Sequence, residues 1–346
     1  MRRRRLVIVP LAAVAILLCT SAAGGRDSGA VRVALVGNQP FGDGGPMDRM
    51  AAALAQCGRR YGYDVRKFET LTPSSYVKDV RRVAQAGYQL VFTTFPPMTR
   101  TTRTVAAEFP KTKFVGIQQF VNVPKSTAPN VWDTQFSIDA IMYVYGAIGA
   151  KLSQSGKLGY VAGVWDATED GGANAFAQGA KATNPRISID FVSAESYQDP
   201  AKGRRIAHAM IGRGIDFVQT SAAETQLGVI DAAKAGKILV SGDVGDNSAR
   251  YPKGFVGYLG LGYGANVLQG CRFFKNGTLP VGRHTVESLS TGGAYVPYDV
   301  LPKWGEATGK AALAEQLLAL EKKLVARIVS GRIPVVHDAT RPKRVG

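Results

Sequence analysis

The feature that most constrains this chain is an alternation of short apolar runs with amphipathic stretches, which begins at residue 31 and starts again near residue 138. Short apolar runs predict buried strands, and their alternation with amphipathic stretches is typical of a parallel sheet with crossover helices. Because the alternation occurs twice, we predict an α/β fold with two doubly wound parallel-sheet lobes.

The predicted elements fall into two series. The first holds strands at 31–36, 64–68, 89–93 and 113–117 with helices at 47–61, 74–86 and 100–108, and the second holds helices at 138–152, 172–182, 200–213 and 226–235 with strands at 158–162, 187–191, 217–219 and 238–240. The later segments, 255–275 and 311–330, are too few for a third domain. We expect them to complete the first two.

The first residues predict export. Four arginines follow Met1, and an apolar run from Leu6 to Leu18 leads into small residues. This order predicts a secretory signal peptide over residues 1–23, since the run is shorter than the roughly 20 apolar residues that a membrane-spanning helix needs. Cys19 leaves two alternatives open: a freely exported protein, or one anchored to the cell membrane by acylation of the Cys19 thiol.

The chain is strongly basic, with a formal net charge of +17 from 43 Lys and Arg against 26 Asp and Glu. A surplus of this size suits either nucleic acid or an anionic membrane surface. The basic residues are scattered along predicted helices, the sequence has no helix-turn-helix or zinc pattern, and export separates the protein from DNA. We therefore expect a membrane surface rather than nucleic acid as a partner.

Cys57 and Cys271 are the cysteines that remain after the signal peptide. In an exported protein, two remaining thiols predict one disulfide. Two buried free thiols are the alternative.

The loops that follow the predicted strands are candidates for a ligand site, because ligands of open α/β sheets bind outside the carboxyl ends of the strands. If the two lobes face each other, these loops line one shared cleft. They are rich in Gly, Asn, Gln, Asp and aromatic residues, which suits a small, polar, ring-bearing ligand. The loops are 37–45, 94–98, 118–122, 163–170, 220–225 and 242–247.

Four segments, spread along the chain, are similar to motifs of the basic membrane protein or purine nucleoside receptor A-like family of ABC-transporter substrate-binding proteins. Residues 176–185 resemble F-x-x-G-x-x-x-x-N-P, residues 196–203 resemble F-x-D-P-x-K-G, residues 225–230 resemble T-G-x-G-V-x, and residues 330–335 resemble S-G-K-I-x-V. The resemblance implies a type I periplasmic-binding fold with three crossings between the lobes, near 133–137, 255–259 and 287–291.

The same resemblance implies the extent of the lobes. Lobe 1 would comprise residues 31–133 plus 257–286, and lobe 2 residues 138–254 plus 290–340. Cys57 and Cys271 would then both belong to lobe 1, which makes a disulfide between them geometrically sensible.

Two acids match the family's ligand loops, Asp43 after the first strand and Asp243 in the loop 242–247. They would lie in opposite lobes and could accept hydrogen bonds from ligand hydroxyls. Capping of a local turn is the alternative role for each.

Five further residues are candidate ligand contacts. Three aromatic side chains could stack on a ligand ring or pack in the core or hinge, and two polar side chains could contact the ligand or face solvent. These residues are Phe41, Trp132, Trp165, Asn38 and Glu224.

The chain departs from the family pattern at several ligand positions. Pro46 stands where the family has an aromatic residue, Met47 where it has Asn, Gly245 where it has a second acid, and Gly260 where it has Lys. Ligand binding is therefore predicted more firmly than purine specificity.

An enzyme would need a reactive constellation, and the sequence offers none. The histidines His208, His284 and His337 lack metal-ligand spacing. The sequence has no nucleophile elbow and no phosphate-binding Walker loop. We predict a protein without a cofactor that is not an enzyme.

The function predicted from these features is that of the extracytoplasmic solute-binding component of an ABC importer. It would bind a small polar ring-bearing ligand, nucleoside-like by resemblance, and pass it to the permease and ATPase subunits. A ligand sensor of the same fold, which signals to a membrane partner, is the alternative. A secreted enzyme would be recognised by turnover of the ligand.

Overall fold

The computed structural model of the chain describes residues 29–119 and 128–344. The predicted signal peptide 1–23 and the predicted lipidation of Cys19 lie outside these residues. Within them, the predicted strands and helices are present. Two further strands, at 131–136 and 283–287, were not predicted, and the first of them overlaps the crossing expected near 133–137.

The strands and helices have the following bounds. The strands are β1 (Arg32–Gly37), β2 (Asp64–Glu69), β3 (Leu90–Thr94), β4 (Lys113–Ile117), β5 (Val131–Phe136), β6 (Lys157–Ala162), β7 (Ser188–Ser193), β8 (Phe217–Ser221), β9 (Leu239–Ser241), β10 (Phe255–Gly257), β11 (Gly260–Leu261), β12 (Arg283–Glu287) and β13 (Ala294–Tyr295). The helices are α1 (Pro46–Tyr61), α2 (Tyr76–Gln85), α3 (Thr99–Glu108), α4 (Asp139–Leu152), α5 (Ala167–Thr183), α6 (Pro200–Gly212), α7 (Gln226–Gly236), α8 (Tyr263–Lys275), α9 (Val300–Thr308) and α10 (Ala311–Val329).

Two parallel sheets organise the fold. The first has the strand order β12-β5-β4-β3-β1-β2 and the second the order β10-β9-β8-β6-β7. All pairings within these two sheets are parallel. Strands such as β3, buried along its whole length, read as continuous apolar runs because helices cover both faces of the sheet.

Apolar helix faces pack on both sheets. One core cluster joins α1 and α8 on the first sheet to α4 and α5 on the second. A second cluster lies between the second sheet and α6 and α7, and a third lies between the first sheet and α2 and α3. The predicted α/β fold with two doubly wound lobes is confirmed.

Three segments connect the sheets, as expected for a type I fold. The chain passes from β5 to α4, from β10 to α8, and from β12 to α9. Strands β11 and β13, which belong to the second and third connections, pair with each other in antiparallel fashion. The residue boundaries of the lobes stay a prediction.

Helix α5 begins five residues before the predicted start at Gly172. Asp166 caps the helix, because its carboxylate accepts hydrogen bonds from the backbone N–H groups of Thr168 (2.8 Å) and Glu169 (3.0 Å). Gly171 and Gly172 weaken the helical pattern of the sequence. A Cβ at Gly172 would lie 2.6 Å from the terminal Cδ1 methyl group of Ile138.

Cys57 and Cys271 form a disulfide that joins α1 to α8, with their Cα atoms 6.2 Å apart. Both residues are fully buried. The pairing agrees with the disulfide predicted for these two thiols.

A row of polar residues crosses the face of the first sheet that packs on α3. Thr93, Gly116, Asp133 and His284 are neighbours in register across β3, β4, β5 and β12. Arg103 of α3 reaches into the row, where its guanidinium lies 3.4 Å from the Asp133 carboxylate. Burial raises the pKa of Asp133 to about 6, against the opposing charge of Arg103.

Candidate ligand-binding cleft

The carboxyl ends of the strands of both sheets border one cleft. The first sheet contributes the loops after β1, β3, β4 and β5, and the second sheet those after β6, β7, β8 and β9. This is the position at which open α/β sheets bind ligands. The loop arrangement predicted from the sequence is therefore present.

The cleft holds two adjoining pockets. The larger pocket has a volume of about 540 Å³ and is called the inner pocket because Ile138, Leu259 and Leu261, which belong to the connections between the sheets, line it. The outer pocket has a volume of about 280 Å³. Both are lined by Gln39, Pro46, Tyr197, Asp243 and neighbouring residues. The inner volume falls within the roughly 300–1,000 Å³ typical of small-molecule sites.

The inner pocket combines aromatic rings with carboxyl groups. Phe95, Tyr197 and Tyr263 provide the rings. Asp166, Glu169 and Asp243 provide the carboxyl groups, all from the side of the second sheet. Rings suit an apolar or planar part of a ligand, and carboxylates accept hydrogen bonds from its hydroxyl or amino groups.

Glu169 is held at the wall of the inner pocket by two hydroxyl groups. Ser221 donates to one carboxylate oxygen at 2.8 Å and Tyr160 to the other at 3.1 Å. Burial raises the pKa of Glu169 well above its ordinary value, and the neighbouring charge of Asp243 raises it further. The side chain is 7% exposed, so its carboxyl group has little contact with water.

Asp243 lies between the inner and outer pockets and lines both. Its carboxylate accepts a hydrogen bond from the Ala223 N–H at 2.7 Å, while its own N–H donates to Gln226 at 2.8 Å. Burial raises the pKa of Asp243, and backbone N–H groups of residues 222, 223 and 244 oppose this effect. The structure therefore places Asp243 where the sequence predicts a ligand contact.

Asp43 and Glu224 line the outer pocket on opposite sides. Asp43 also caps α1, because its carboxylate accepts from the N–H groups of Gly45 (2.8 Å), Met47 (3.0 Å) and Asp48 (3.1 Å). The turn-capping role, which the sequence left open for Asp43, is thus present in the structure. The same side chain also borders the cleft.

Asn38 and Phe41 follow β1 but line neither pocket. The Asn38 Oδ1 accepts from the Thr94 hydroxyl at 3.0 Å, which ties the end of β1 to the end of β3. The ring of Phe41 is covered by the Lys67 ammonium at 4.4 Å. Both side chains support the cleft loop instead of facing the pockets.

The two predicted tryptophans also lie outside the pocket lining. Trp132 is 1% exposed, donates to the Thr285 hydroxyl at 2.9 Å and packs edge-on against Phe273. Trp165 stacks on Tyr160 and is covered by the Arg341 guanidinium at 5.2 Å. Their packing corresponds to the core role that the sequence left open for each.

Several lining residues were not among the predicted contacts. The loop 163–170 is among the loops predicted to border the cleft, but the sequence does not indicate which of its polar residues face the ligand. Tyr197 follows β7, outside the predicted loops. The additional lining residues are Gln39, Phe95, Gln118, Asp166, Glu169, Tyr197 and Tyr263.

Four non-glycine residues with positive φ follow strands that end at the cleft. They are Phe95 (63°), Gln118 (53°), Glu195 (49°) and Ala223 (42°). Such backbone conformations cost about 1–3 kcal/mol each and occur often at binding sites. Phe95, Gln118 and Ala223 line the inner pocket, so the tight turns bring these residues directly to it.

Solved structures confirm the type I periplasmic solute-binding fold. An ABC-transporter solute-binding protein from Aeropyrum pernix superposes with a TM-score of 0.75 at 16% identity, over 89% of this chain and 94% of that one. One from Conexibacter woesei gives 0.68 at 21% identity, over 89% of this chain and 99% of that one.

Sequence relatives include substrate-binding proteins with a named ligand. An ABC-transporter nucleoside-binding protein of Lactococcus lactis is 30% identical over 49% of this chain and 47% of its own length. A purine-binding protein of Brucella abortus is 32% identical over 41% of this chain and 39% of its own length. The aligned part of this chain spans about half or less of the length of these curated relatives.

Residues 30–257 match the Bmp family, described as ABC transporter substrate-binding protein PnrA-like. The chain belongs to this family. Its members are substrate-binding proteins and not enzymes. The resemblance predicted from the four sequence motifs is thereby confirmed.

Within residues 29–119 and 128–344, no helix has both the length and the apolar character needed to cross a membrane. The same residues contain no group of three or more His, Cys, Asp or Glu side chains that could hold a metal ion.

Gly260, which stands where the family pattern has Lys, is part of β11. A Cβ at this position would overlap the carbonyl oxygen of Tyr295 on β13. The close pairing of β11 with β13 is thus a local reason for glycine at this position.

Proposed function

We propose that the protein is the extracytoplasmic solute-binding component of an ABC importer, that it binds a nucleoside-like ligand in the cleft between the two sheets, and that it presents this ligand to the permease. Membership of the family supports the importer role. The observation that carries the proposal is a cleft whose two walls come from different sheets, with rings and carboxyl groups facing one cavity.

The chemistry of the lining supports a ligand with a planar ring and several hydrogen-bonding groups. Phe95, Tyr197 and Tyr263 provide surfaces for the ring. Asp243 and Gln118 provide an acceptor and an amide close to it. Relatives named for nucleoside or purine binding agree with this chemistry.

Closure of the cleft is the proposed mechanical step. Residues of the first-sheet side, such as Phe95, and residues of the second-sheet side, such as Asp243, each form only half of the cavity wall. A ligand that contacts both halves stabilises the closed arrangement over an open one. The permease would recognise the closed form and release the ligand when the halves separate.

Purified protein tests the proposal directly. Thermal unfolding is measured with nucleosides, free bases, sugars and amino acids, and the dissociation constant of each stabilising ligand is then measured by calorimetry. A specific ligand at 100 times its Kd stabilises the folded state by about 2.7 kcal/mol. Stabilisation by sugars or amino acids alone would contradict the nucleoside-like ligand.

The variant Asp243→Asn locates the site. Loss of a charge-assisted hydrogen bond to the ligand weakens binding by about 10- to 100-fold. Asp64→Asn is the matched control, since Asp64 lies on edge strand β2, is 40% exposed and lines neither pocket. Equal affinities for the two variants would place the ligand elsewhere, provided that both variants unfold near the wild-type temperature.

A further inference from the structure

The charge of the cleft is opposite to the charge of the chain. The described residues that line the two pockets include six acids and no Lys, Arg or His, although the chain as a whole has a net charge of +17. The acids are Asp43, Asp166, Glu169, Glu224, Asp243 and Asp246.

Five of these six acids form no ion pair with another described residue. The exception is Asp246, whose carboxylate lies 2.9 Å from the Lys303 ammonium. Some acids outside the cleft are paired, as Glu108 is with Arg81 and Asp231 with Arg250, and others are not. What distinguishes the cleft is that its unpaired acids line one cavity whose described lining has no Lys, Arg or His.

The absence of positive partners costs the most free energy in the inner pocket, where the carboxyl groups have the least contact with water. Glu169 is 7% exposed, and its hydrogen-bond partners Ser221 and Tyr160 are neutral. Asp243 accepts from a neutral backbone N–H. Buried carboxylates without a positive partner are unfavourable, and burial raises the pKa of both residues.

Aromatic rings share the pocket with these acids. Phe95, Tyr197 and Tyr263 line it together with Glu169 and Asp243. The faces of aromatic rings attract ammonium groups, and carboxylates bind them through charge-assisted hydrogen bonds. Both kinds of group favour a positively charged nitrogen, and both disfavour a phosphate or carboxylate.

We propose that the cleft selects its ligand by charge, and that the ligand carries a basic nitrogen that binds as a cation in the inner pocket beside Glu169 and Asp243. The inference rests on the proposed role of the cleft as the ligand site, and it narrows the ligand class. Anionic relatives of the same ligand, including phosphorylated ones, are excluded.

Two matched series of probes test the inference by calorimetry at neutral pH. The first consists of adenosine with an amino, a hydroxyl or a phosphate group at the end of the ribose. The second consists of tyramine, para-ethylphenol and para-hydroxyphenylpropionate, which are positive, neutral and negative and contain no nucleoside. In each series whose compounds bind, the amine is expected to bind about tenfold or more tightly than the neutral compound, with the anion weakest.

The variant Glu169→Gln tests whether the preference for the amine over the neutral compound arises in the inner pocket. It removes a carboxyl group that can ionise beside a bound cation and keeps the shape, so the preference for the amine should fall at least severalfold. Glu321→Gln is the matched control, because Glu321 is 1% exposed and lines neither pocket, and this variant should keep the wild-type preference. An equal loss in both variants would overturn the assignment.

The outcomes separate this inference from the nucleoside proposal. Charge selection is overturned, and nucleoside binding is retained, if adenosine binds as tightly as the amino compound of its series. The same holds if the phosphate compound of that series binds tightly. If tyramine binds more tightly than its neutral and negative relatives and no adenosine compound binds, charge selection is supported and nucleoside binding is overturned. No binding in either series at millimolar concentration overturns charge selection.

Discussion

Asp43 and Asp243 show how the same residue type serves two purposes at one cleft. Both oxygens of Asp43 accept from N–H groups of the following turn, so its carboxylate is occupied before any ligand arrives. Asp243 accepts from the N–H of Ala223 and faces both pockets. Asp243 is therefore the better of the two for mutational tests of ligand binding.

Asp133 illustrates a buried carboxyl group outside the cleft. Arg103 and His284 are the charged or titratable groups that face it, and its Oδ1 has no hydrogen-bond partner among the described residues. The pKa of Asp133 is about 6 in the folded protein, whereas an unfolded chain has an Asp pKa of about 3.9. The folded state therefore binds the proton more tightly, and the free energy of unfolding falls as the pH rises from about 4 to about 6.

Asp133→Asn is expected to stabilise the protein above pH 6. The amide removes the cost of a buried charge, so the free energy of unfolding should rise by about 1–3 kcal/mol at pH 7.5. At pH 4 the carboxyl group is largely protonated in the folded state, and the gain should become small. Urea unfolding of both proteins at the two pH values measures the difference.

The exposed Asp64→Asn is the control for this experiment, because Asp64 is 40% exposed on β2. Its effect should be small and similar at both pH values. A destabilised Asp133→Asn at pH 7.5 would show that the ion pair with Arg103 outweighs the burial of the charge.

Among the helices, the glycines of the family motifs serve close packing. A Cβ at Gly179 of α5 would overlap the carbonyl oxygen of Tyr143 on α4, and a Cβ at Gly146 of α4 would overlap that of Phe176 on α5. Gly228 of α7 lies against the backbone of Pro200 in the same way. Gly179 and Gly228 of the motifs, together with Gly146, thus determine helix spacing and do not line the cleft.

Gly179→Ala is expected to destabilise the protein. The added methyl group must push α4 and α5 apart, which costs about 1–3 kcal/mol or more. Gly212→Ala, at the end of α6, is the matched control because nothing lies within 4 Å of the added Cβ. That substitution should leave stability unchanged or raise it slightly. Chemical unfolding of both variants is the measurement, and equal stabilities would contradict the packing argument.

The disulfide acts on the pair α1 and α8. Replacement of both Cys57 and Cys271 by Ser should lower the free energy of unfolding by about 2–5 kcal/mol, because the bridge restricts a long loop in the unfolded chain. The two residues are 214 positions apart in the sequence. Thermal unfolding of the wild-type protein with and without reductant also compares the protein lacking the disulfide with the protein that has it.

Ligand affinity should change little in this double variant, since neither cysteine lines the cleft. A large loss of affinity at temperatures where the variant is folded would show that the bridge also positions the cleft loops. An unchanged melting temperature would contradict the stabilising role.

For the whole molecule, we predict that a ligand of the cleft makes the protein more compact. The two sheets are joined by three connections, and each sheet contributes part of the cavity wall. Binding to both walls favours the closed form. Small-angle scattering should show a smaller radius of gyration with ligand, and Asp243→Asn at the same ligand concentration should respond less. No change on saturation would exclude closure as the response.

Most of the fold could be predicted from local patterns. Buried strands such as β3 and amphipathic helices such as α1 carry their own periodicity, so their bounds agree with the sequence within one or two residues. The start of α5 could not be predicted in this way. Its glycines weaken the helical pattern, and the capping hydrogen bonds of Asp166 are seen only in the structure.

The sequence by itself determined most of the strands and helices, the family, and most of the loops that border the cleft. The tertiary structure decided which side chains face the cavity: Trp132 packs in the core, while Glu169 and Tyr197 line the inner pocket. The physical reason is that burial and charge at the cleft depend on groups far apart in the chain. Asp243 and Glu169 influence each other only because the second sheet brings the end of β9 and the helix α5 to the same wall.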